Sequence, residues 1–210
     1  MRHSSVCLLA LALLTGPSVH AQDLQVFPSE QPISLKRLPL NIVQDQKEVW
    51  KFPVMLTRGQ HWKPTFALLM ATTALVELDP HETPYFRQTK SFADFNKAFS
   101  SLNTGLVEAA IPAAFFLTGL ARKDSYAQDS GLVSIEALAD AQILSEVVKN
   151  VSRRRRPLEI APNGDFANTW FKAGPGVLVN RGSFVSGHTA GAFAIAEVFA
   201  ERYHHHRWVP

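Results

Sequence analysis

The stretch DSGLVSIEALADAQILSEVVKNVSRRRR, residues 129–156, is the clearest helix of this sequence. Its apolar residues Leu144, Val147, Val148 and Val151 fall at i, i+3, i+4 and i+7, which places them on one face of a helix. No segment of the chain alternates for long between apolar and polar residues, as a half-buried strand would. The sequence therefore predicts an all-α fold, a helical bundle, in which this stripe packs against other helices.

Three more segments complete the predicted bundle. Residues 63–78 form a dense apolar stretch of about four turns, and residues 91–123 form a second long helical segment. Pro112 lies inside the second one, and we expect it to kink or divide the helix because proline removes a backbone donor. The last predicted helix covers residues 187–203.

The segment Ala109–Ala121 is apolar enough to raise the question of a membrane. It is shorter than the ~20 residues that a spanning helix needs, and Glu108 and Arg122 bracket it. We therefore expect a buried core helix. Peripheral association with a membrane surface, or partial insertion, is the alternative.

The N-terminus has the pattern of a secretory signal peptide over residues 1–21. Arg2 gives a positive start, Val6–Leu14 is a short apolar run, and Val19 and Ala21 have the spacing of a cleavage site. An N-terminal membrane anchor is the alternative. The pattern predicts a secreted or periplasmic protein.

Residues 22–60 contain four prolines, which predict an extended arm with at most one short helix over residues 42–52. The remainder, residues 61–210, is assigned to one helical domain. Cys7 is the only cysteine and lies in the predicted signal peptide, so disulfides and thiol catalysis are excluded from the mature chain. The net charge of +3 is too small to predict nucleic-acid binding.

A basic run, KNVSRRRRP, covers residues 149–157, at the end of the helix that we predict over residues 129–156. Lys149, Arg153 and Arg156 are spaced i, i+4 and i+7, so a continuous helix would project all three from one side. Arg156 precedes Pro157, where we expect the helix to end. This predicts a row of cations at a helix C-terminus, with a solvated basic surface patch as the alternative.

A second polar stretch, RGSFVSGHTAGAF, covers residues 181–193. Ser186 lacks the flanking glycines of a hydrolase nucleophile, Thr189 lacks an evident base, and His188 lacks the partners of a metal site. The stretch fits an anion cradle better. Ser186 is a good N-cap, Gly187 allows close backbone approach, and the first amides of the following helix would face an anion.

The two motifs together resemble the type 2 phosphatidic acid phosphatase superfamily, which includes bacterial acid phosphatases and vanadium haloperoxidases. Lys149, Arg156 and Pro157 match K-x6-R-P, and residues 186–188 match the Ser-Gly-His motif about 28 residues later. The resemblance covers about residues 130–205 and implies an all-helical fold. It also implies that Lys149, Arg156, Ser186 and Gly187 hold the phosphate and that His188 is the general acid.

The resemblance implies a phosphate-ester substrate, either a lipid phosphate or a soluble ester. No metal or other cofactor is expected in a phosphatase, and vanadate is expected only in the haloperoxidase alternative. A non-catalytic phosphate-binding or membrane-surface module is the other alternative.

Two departures from the family pattern are evident. Val185 replaces the proline before Ser-Gly-His, and the family's third motif, S-R-x5-H-x3-D, which carries the nucleophilic histidine, does not occur. Three histidines at 204–206 follow His188 by 16 to 18 residues. A continuous helix would hold them about 24–27 Å away. We therefore expect a C-terminally truncated member that binds phosphate and hydrolyses esters poorly.

Overall fold

The computed structural model describes residues 33–98, 100–161, 163–174 and 182–205. Its helices are α1 (Leu38–Thr57), α2 (Trp62–Gln88), α3 (Ala93–Ala98), α4 (Ser101–Arg122), α5 (Ser125–Ser152) and α6 (Gly187–Tyr203), with a short 3-10 helix at Pro157–Glu159. No strand occurs among the described residues, so the all-α prediction is confirmed. The predicted signal peptide and residues 22–32 of the predicted arm lie outside the described part of the chain.

Helices α4, α5 and α6 pack against one another and form the centre of the fold. A tight turn joins α4 to α5, because Lys123 adopts a left-handed conformation and Asp124 caps the next helix. The Asp124 carboxylate accepts a hydrogen bond from the Ala127 amide at 3.1 Å. The two helices therefore run antiparallel.

Helix α6 returns antiparallel along α5. At one end, Arg202 Nε donates to Ser130 Oγ at 2.7 Å. At the other end, Gln142 Nε2 donates to the Gly187 carbonyl at 2.9 Å. This arrangement brings the start of α6 to the C-terminal half of α5.

The face that α5 buries differs from the predicted apolar stripe. Leu144 is 38% exposed and Val151 is 69% exposed, so that prediction is wrong. The buried positions of α5 are mostly small residues: Ser130, Gly131, Leu132, Ser134, Ser145 and Ser152. Small side chains let neighbouring helices approach closely. The buried hydroxyl of Ser134 has a hydrogen-bond partner within the helix, because it donates to the Ser130 carbonyl at 2.8 Å.

Pro112 does not divide the second long segment. Helix α4 runs unbroken through Pro112, and the chain leaves helical geometry between Ala98 and Ser101 instead. Ser100 caps α4 there, with its side chain accepting from the Asn103 amide. Pro112 is fully buried, so close packing against α5 holds this part of α4 in place.

Helix α4 is less buried than expected. Residues Leu102–Arg122 are long and apolar enough to cross a membrane, and only 17% of the apolar window is buried. Its buried positions form a narrow stripe that includes Glu108, Pro112 and Gly119. The prediction of a buried core helix is therefore wrong for most of the α4 surface.

The predicted N-terminal arm contains a much longer helix than expected. Helix α1 extends from Leu38 to Thr57. Pro39 occupies its first turn, where a missing amide donor costs little, and the helix continues through Pro53. It docks on α5 through polar contacts. Asn41 Nδ2 donates to Glu136 Oε2 at 3.3 Å, and Gln46 Nε2 donates to Asp140 Oδ1 at 2.9 Å.

We expect the folded state to be more stable at pH 5 than at pH 8. Burial, with the neighbouring Asp45, raises the pKa of Glu136 to about 7, and burial raises the pKa of Asp140 to about 6. Both folded-state pKa values exceed those of the unfolded chain, so protonation of these two carboxyl groups stabilises the folded state. This stabilisation is complete below about pH 4 and is lost as the pH rises through 6 to 7. Thermal unfolding followed by circular dichroism measures the difference. Glu136→Gln should remove most of it, and a melting temperature equal at both pH values would contradict the prediction.

Candidate active site

The loop between α5 and α6 begins and ends beside the last turn of α5. The Ser183 amide donates to the Arg154 carbonyl at 2.9 Å. Ser152 Oγ donates to the Phe184 carbonyl at 2.9 Å. These contacts hold the residues that precede α6 against the end of α5, although the two motifs are separated by a long loop in sequence.

Ser186 caps α6 as the sequence predicts. Its Oγ accepts from the Thr189 amide at 3.3 Å and from Thr189 Oγ1 at 3.0 Å. The amides of Gly187 and His188 lie in the first helical turn, where an N–H has no carbonyl partner within the helix. The N-terminus of α6 therefore presents donors at the positive end of the helix dipole.

Lys149 reaches this helix start from the last turn of α5. A Cβ built on Gly187 would lie 3.0 Å from Lys149 Nζ and 2.9 Å from Gln142 Oε1. A side chain at position 187 would push the ends of these two side chains aside, so the glycine leaves room for the ammonium beside the helix start. The Lys149 side chain is 13% exposed, and its Nζ contacts Glu146 Oε1 at 2.6 Å. The structure thus brings together four of the predicted residues: Lys149, Ser186, Gly187 and His188.

The predicted helical row of Lys149, Arg153 and Arg156 is wrong. Helix α5 ends at Ser152, and Arg153 turns the chain with a φ of 44°. A longer helix would leave the Arg153 carbonyl without a donor, because the residue four positions on is Pro157; it accepts instead from the amides of Lys172 and Ala173. Arg156 is exposed and is the N-cap of the 3-10 helix, four residues beyond the end of α5.

Arg154 has a role that the sequence did not reveal. Its guanidinium pairs with Asp79 of α2 and lies 5.1 Å from the centre of the Trp170 ring. Burial lowers the pKa of Arg154. Nothing in the run of four arginines distinguishes Arg154 from Arg156 in the sequence. Only the path of the loop in the structure identifies Arg154 as the arginine that links α2 to the end of α5.

His188 faces a buried carboxylate of α4. Its Nδ1 lies 3.7 Å from Glu108 Oε2, and the side chains are 41% and 7% exposed respectively. Burial raises the pKa of Glu108, while the adjacent His188 lowers it by a smaller amount. In the sequence, Glu108 stands only as the residue that precedes the apolar segment Ala109–Ala121. A lone acid in that segment was the signal that could have identified it.

The later histidines lie at the opposite end of α6. The helix ends at Tyr203, and His204 Nδ1 contacts the Glu201 carbonyl oxygen at 2.7 Å. The 17 residues of α6 span about 25 Å, so His204 and His205 are far from the Ser186 end. His206 lies outside the described residues.

Comparison of the chain with models of protein families, with curated proteins and with solved structures found no match. The interpretation of this site therefore depends on its own geometry and on the two sequence motifs.

Proposed function

We propose that this site binds the phosphate group of a phosphate monoester and that His188 protonates the leaving oxygen, as the resemblance to the type 2 phosphatidic acid phosphatases implies. One observation carries the proposal. The ammonium of Lys149 lies beside Gly187, the first residue of α6, and His188 is the next residue of that first turn. A fixed cation, helix amides and a titratable acid are the groups that phosphoryl transfer requires.

Electrostatics favour a dianion at this position. Lys149 is largely withdrawn from solvent, which weakens the screening of its charge. The amides of Gly187 and His188 and the Ser186 hydroxyl supply hydrogen bonds, and the helix dipole adds to the positive potential. Arg156, which the K-x6-R-P motif assigns to the phosphate, would provide a second cation from the 3-10 helix.

The proposed reaction cleaves the bond between phosphorus and the ester oxygen. The electron pair of that bond stays on the leaving oxygen, which receives a proton from the His188 imidazolium, and one water is consumed overall. In the family that the chain resembles, the attacking atom belongs to a histidine in a motif that this sequence does not contain. We therefore expect phosphate binding with slow turnover.

We expect Lys149→Met to weaken the binding of inorganic phosphate about 10- to 100-fold. The variant loses a charge-assisted hydrogen bond to the phosphate, which is worth about 1.5–3 kcal/mol. A change of about 1.4 kcal/mol in binding free energy changes the affinity tenfold. Isothermal titration calorimetry with phosphate, and with vanadate as a second probe, measures the affinity. Lys51→Met is the matched control, because Lys51 also pairs with a glutamate three residues earlier but is 60% exposed on α1.

Glu146→Gln should have the opposite effect. The Glu146 carboxylate contacts Lys149 and competes with an anion for its ammonium, so removing its charge should tighten phosphate binding. Equal phosphate affinities for the wild type and Lys149→Met would contradict the assignment of the phosphate site.

A further inference from the structure

Glu108 is an unusual residue for its position. It is the only acidic residue of α4, and its side chain is 7% exposed. Its Oε1 has no hydrogen-bond partner among the described residues. A carboxylate that is buried without full compensation costs free energy, so such a group in an apolar helix points to a functional role.

The packing around Glu108 leaves space for its contact with His188. A Cβ built on Gly191 of α6 would lie 3.1 Å from Glu108 Oε2 and 2.9 Å from Gln142 Nε2. A Cβ on Gly105, one turn before Glu108, would lie 3.9 Å from His188 Cε1. Gly191 therefore leaves room for the Glu108 carboxylate, and Gly105 lies in ordinary contact distance of the imidazole.

We propose that Glu108 is the positioning residue for His188: its carboxylate holds the Nδ1 side of the ring and stabilises the imidazolium. Nε2 is then the nitrogen that carries the transferable proton. The distance of 3.7 Å is that of an ion pair and is longer than a hydrogen bond. This inference deepens the proposed function and rests on it for the role of His188 as the acid.

The charges around His188 act in opposite directions. From α4, Glu108 favours the imidazolium. From α5, Lys149 disfavours it, and the Glu146 carboxylate beside Lys149 offsets part of that effect. Ser186 and Thr189, on the α6 side, are neutral. Glu108 is therefore the anionic group that faces the Nδ1 side of the ring, and a carboxylate there favours the protonated form that a general acid requires.

The test is a titration of His188 by NMR of its side-chain nitrogens, in protein free of phosphate. We expect Glu108→Gln to lower the pKa of His188 by about one unit or more, the size of the effect of a charge within about 4–6 Å. Glu197→Gln is the matched control, because Glu197 lies on the same helix as His188, is exposed and is more than two turns away. An unchanged His188 pKa in Glu108→Gln would overturn the proposal.

The tautomer of His188 in the wild-type protein tests the proposal even where Glu108→Gln does not fold. Once His188 is neutral, the proposal expects its remaining proton on Nδ1, facing Glu108, with Nε2 unprotonated. A proton on Nε2 would overturn it. The nitrogen chemical shifts separate the two tautomers.

The pH profile separates positioning from a structural role. When the hydrolysis of p-nitrophenyl phosphate is measured against pH, the alkaline limb of the rate profile of Glu108→Gln should move to lower pH by the same amount as the His188 pKa. A loss of rate at every pH without a moved limb would contradict the proposal. Phosphate binding through Lys149 is measured separately, so failure of the proposed function is distinguishable from failure of this inference.

Discussion

Replacing His188 by alanine is expected to lower the hydrolysis of p-nitrophenyl phosphate about 10²- to 10⁴-fold, the usual contribution of a general acid. The same variant should keep most of its phosphate affinity, because Lys149 and the first-turn amides of α6 remain. The rate is followed at high protein concentration over long times, since we expect slow turnover. Calorimetry on the same samples measures phosphate binding.

His204→Ala is the control for this experiment. His204 belongs to the same region of the chain but lies at the far end of α6, and we expect no change in rate. An unchanged rate in His188→Ala would contradict the role of His188. A wild-type chain that binds phosphate without hydrolysing the ester would contradict catalysis and identify a phosphate-binding module.

Local sequence was sufficient for the features of the site that lie within one helical turn. Ser186 caps α6 and Gly187 begins it, as expected, because capping depends on a few consecutive residues. The all-α class was also predictable, because it requires only long apolar segments without alternation. Both predictions depend on spacing along the chain rather than on contacts between distant residues.

Contacts between distant elements were not predictable in the same way. The stripe of Leu144 and Val151 has the correct period, but α5 packs on its small residues, and at Gly131 the backbone of α4 approaches too closely for a larger side chain. The cation row failed because the helix ends at Ser152, where Arg153 turns the chain and its carbonyl pairs with the returning loop. Glu108 and His188 are 80 residues apart, and no sequence pattern links them.

We expect Gly131→Val to destabilise the fold by about 3 kcal/mol or more, at or above the upper end of the usual cost of overpacking. A Cβ built on Gly131 would lie 2.6 Å from the Phe116 amide nitrogen and 2.7 Å from the Pro112 carbonyl oxygen. Both atoms belong to the backbone of α4, so no side-chain rotation can relieve the clash. Since a domain of this type has about 5–15 kcal/mol of stability, the loss is a large part of the total.

Urea unfolding followed by circular dichroism measures this loss, with Gly174→Val as the control. Gly174 has no atom within 4 Å of a built Cβ, so valine there should change the free energy of unfolding little. Wild-type stability in Gly131→Val would contradict the close approach of α4 and α5.

Gly131→Ala, which adds a smaller side chain, tests whether this packing also affects the candidate active site. Moving α4 away from α5 also displaces Glu108, one turn before Pro112, so the His188 pKa should fall even where the fold survives.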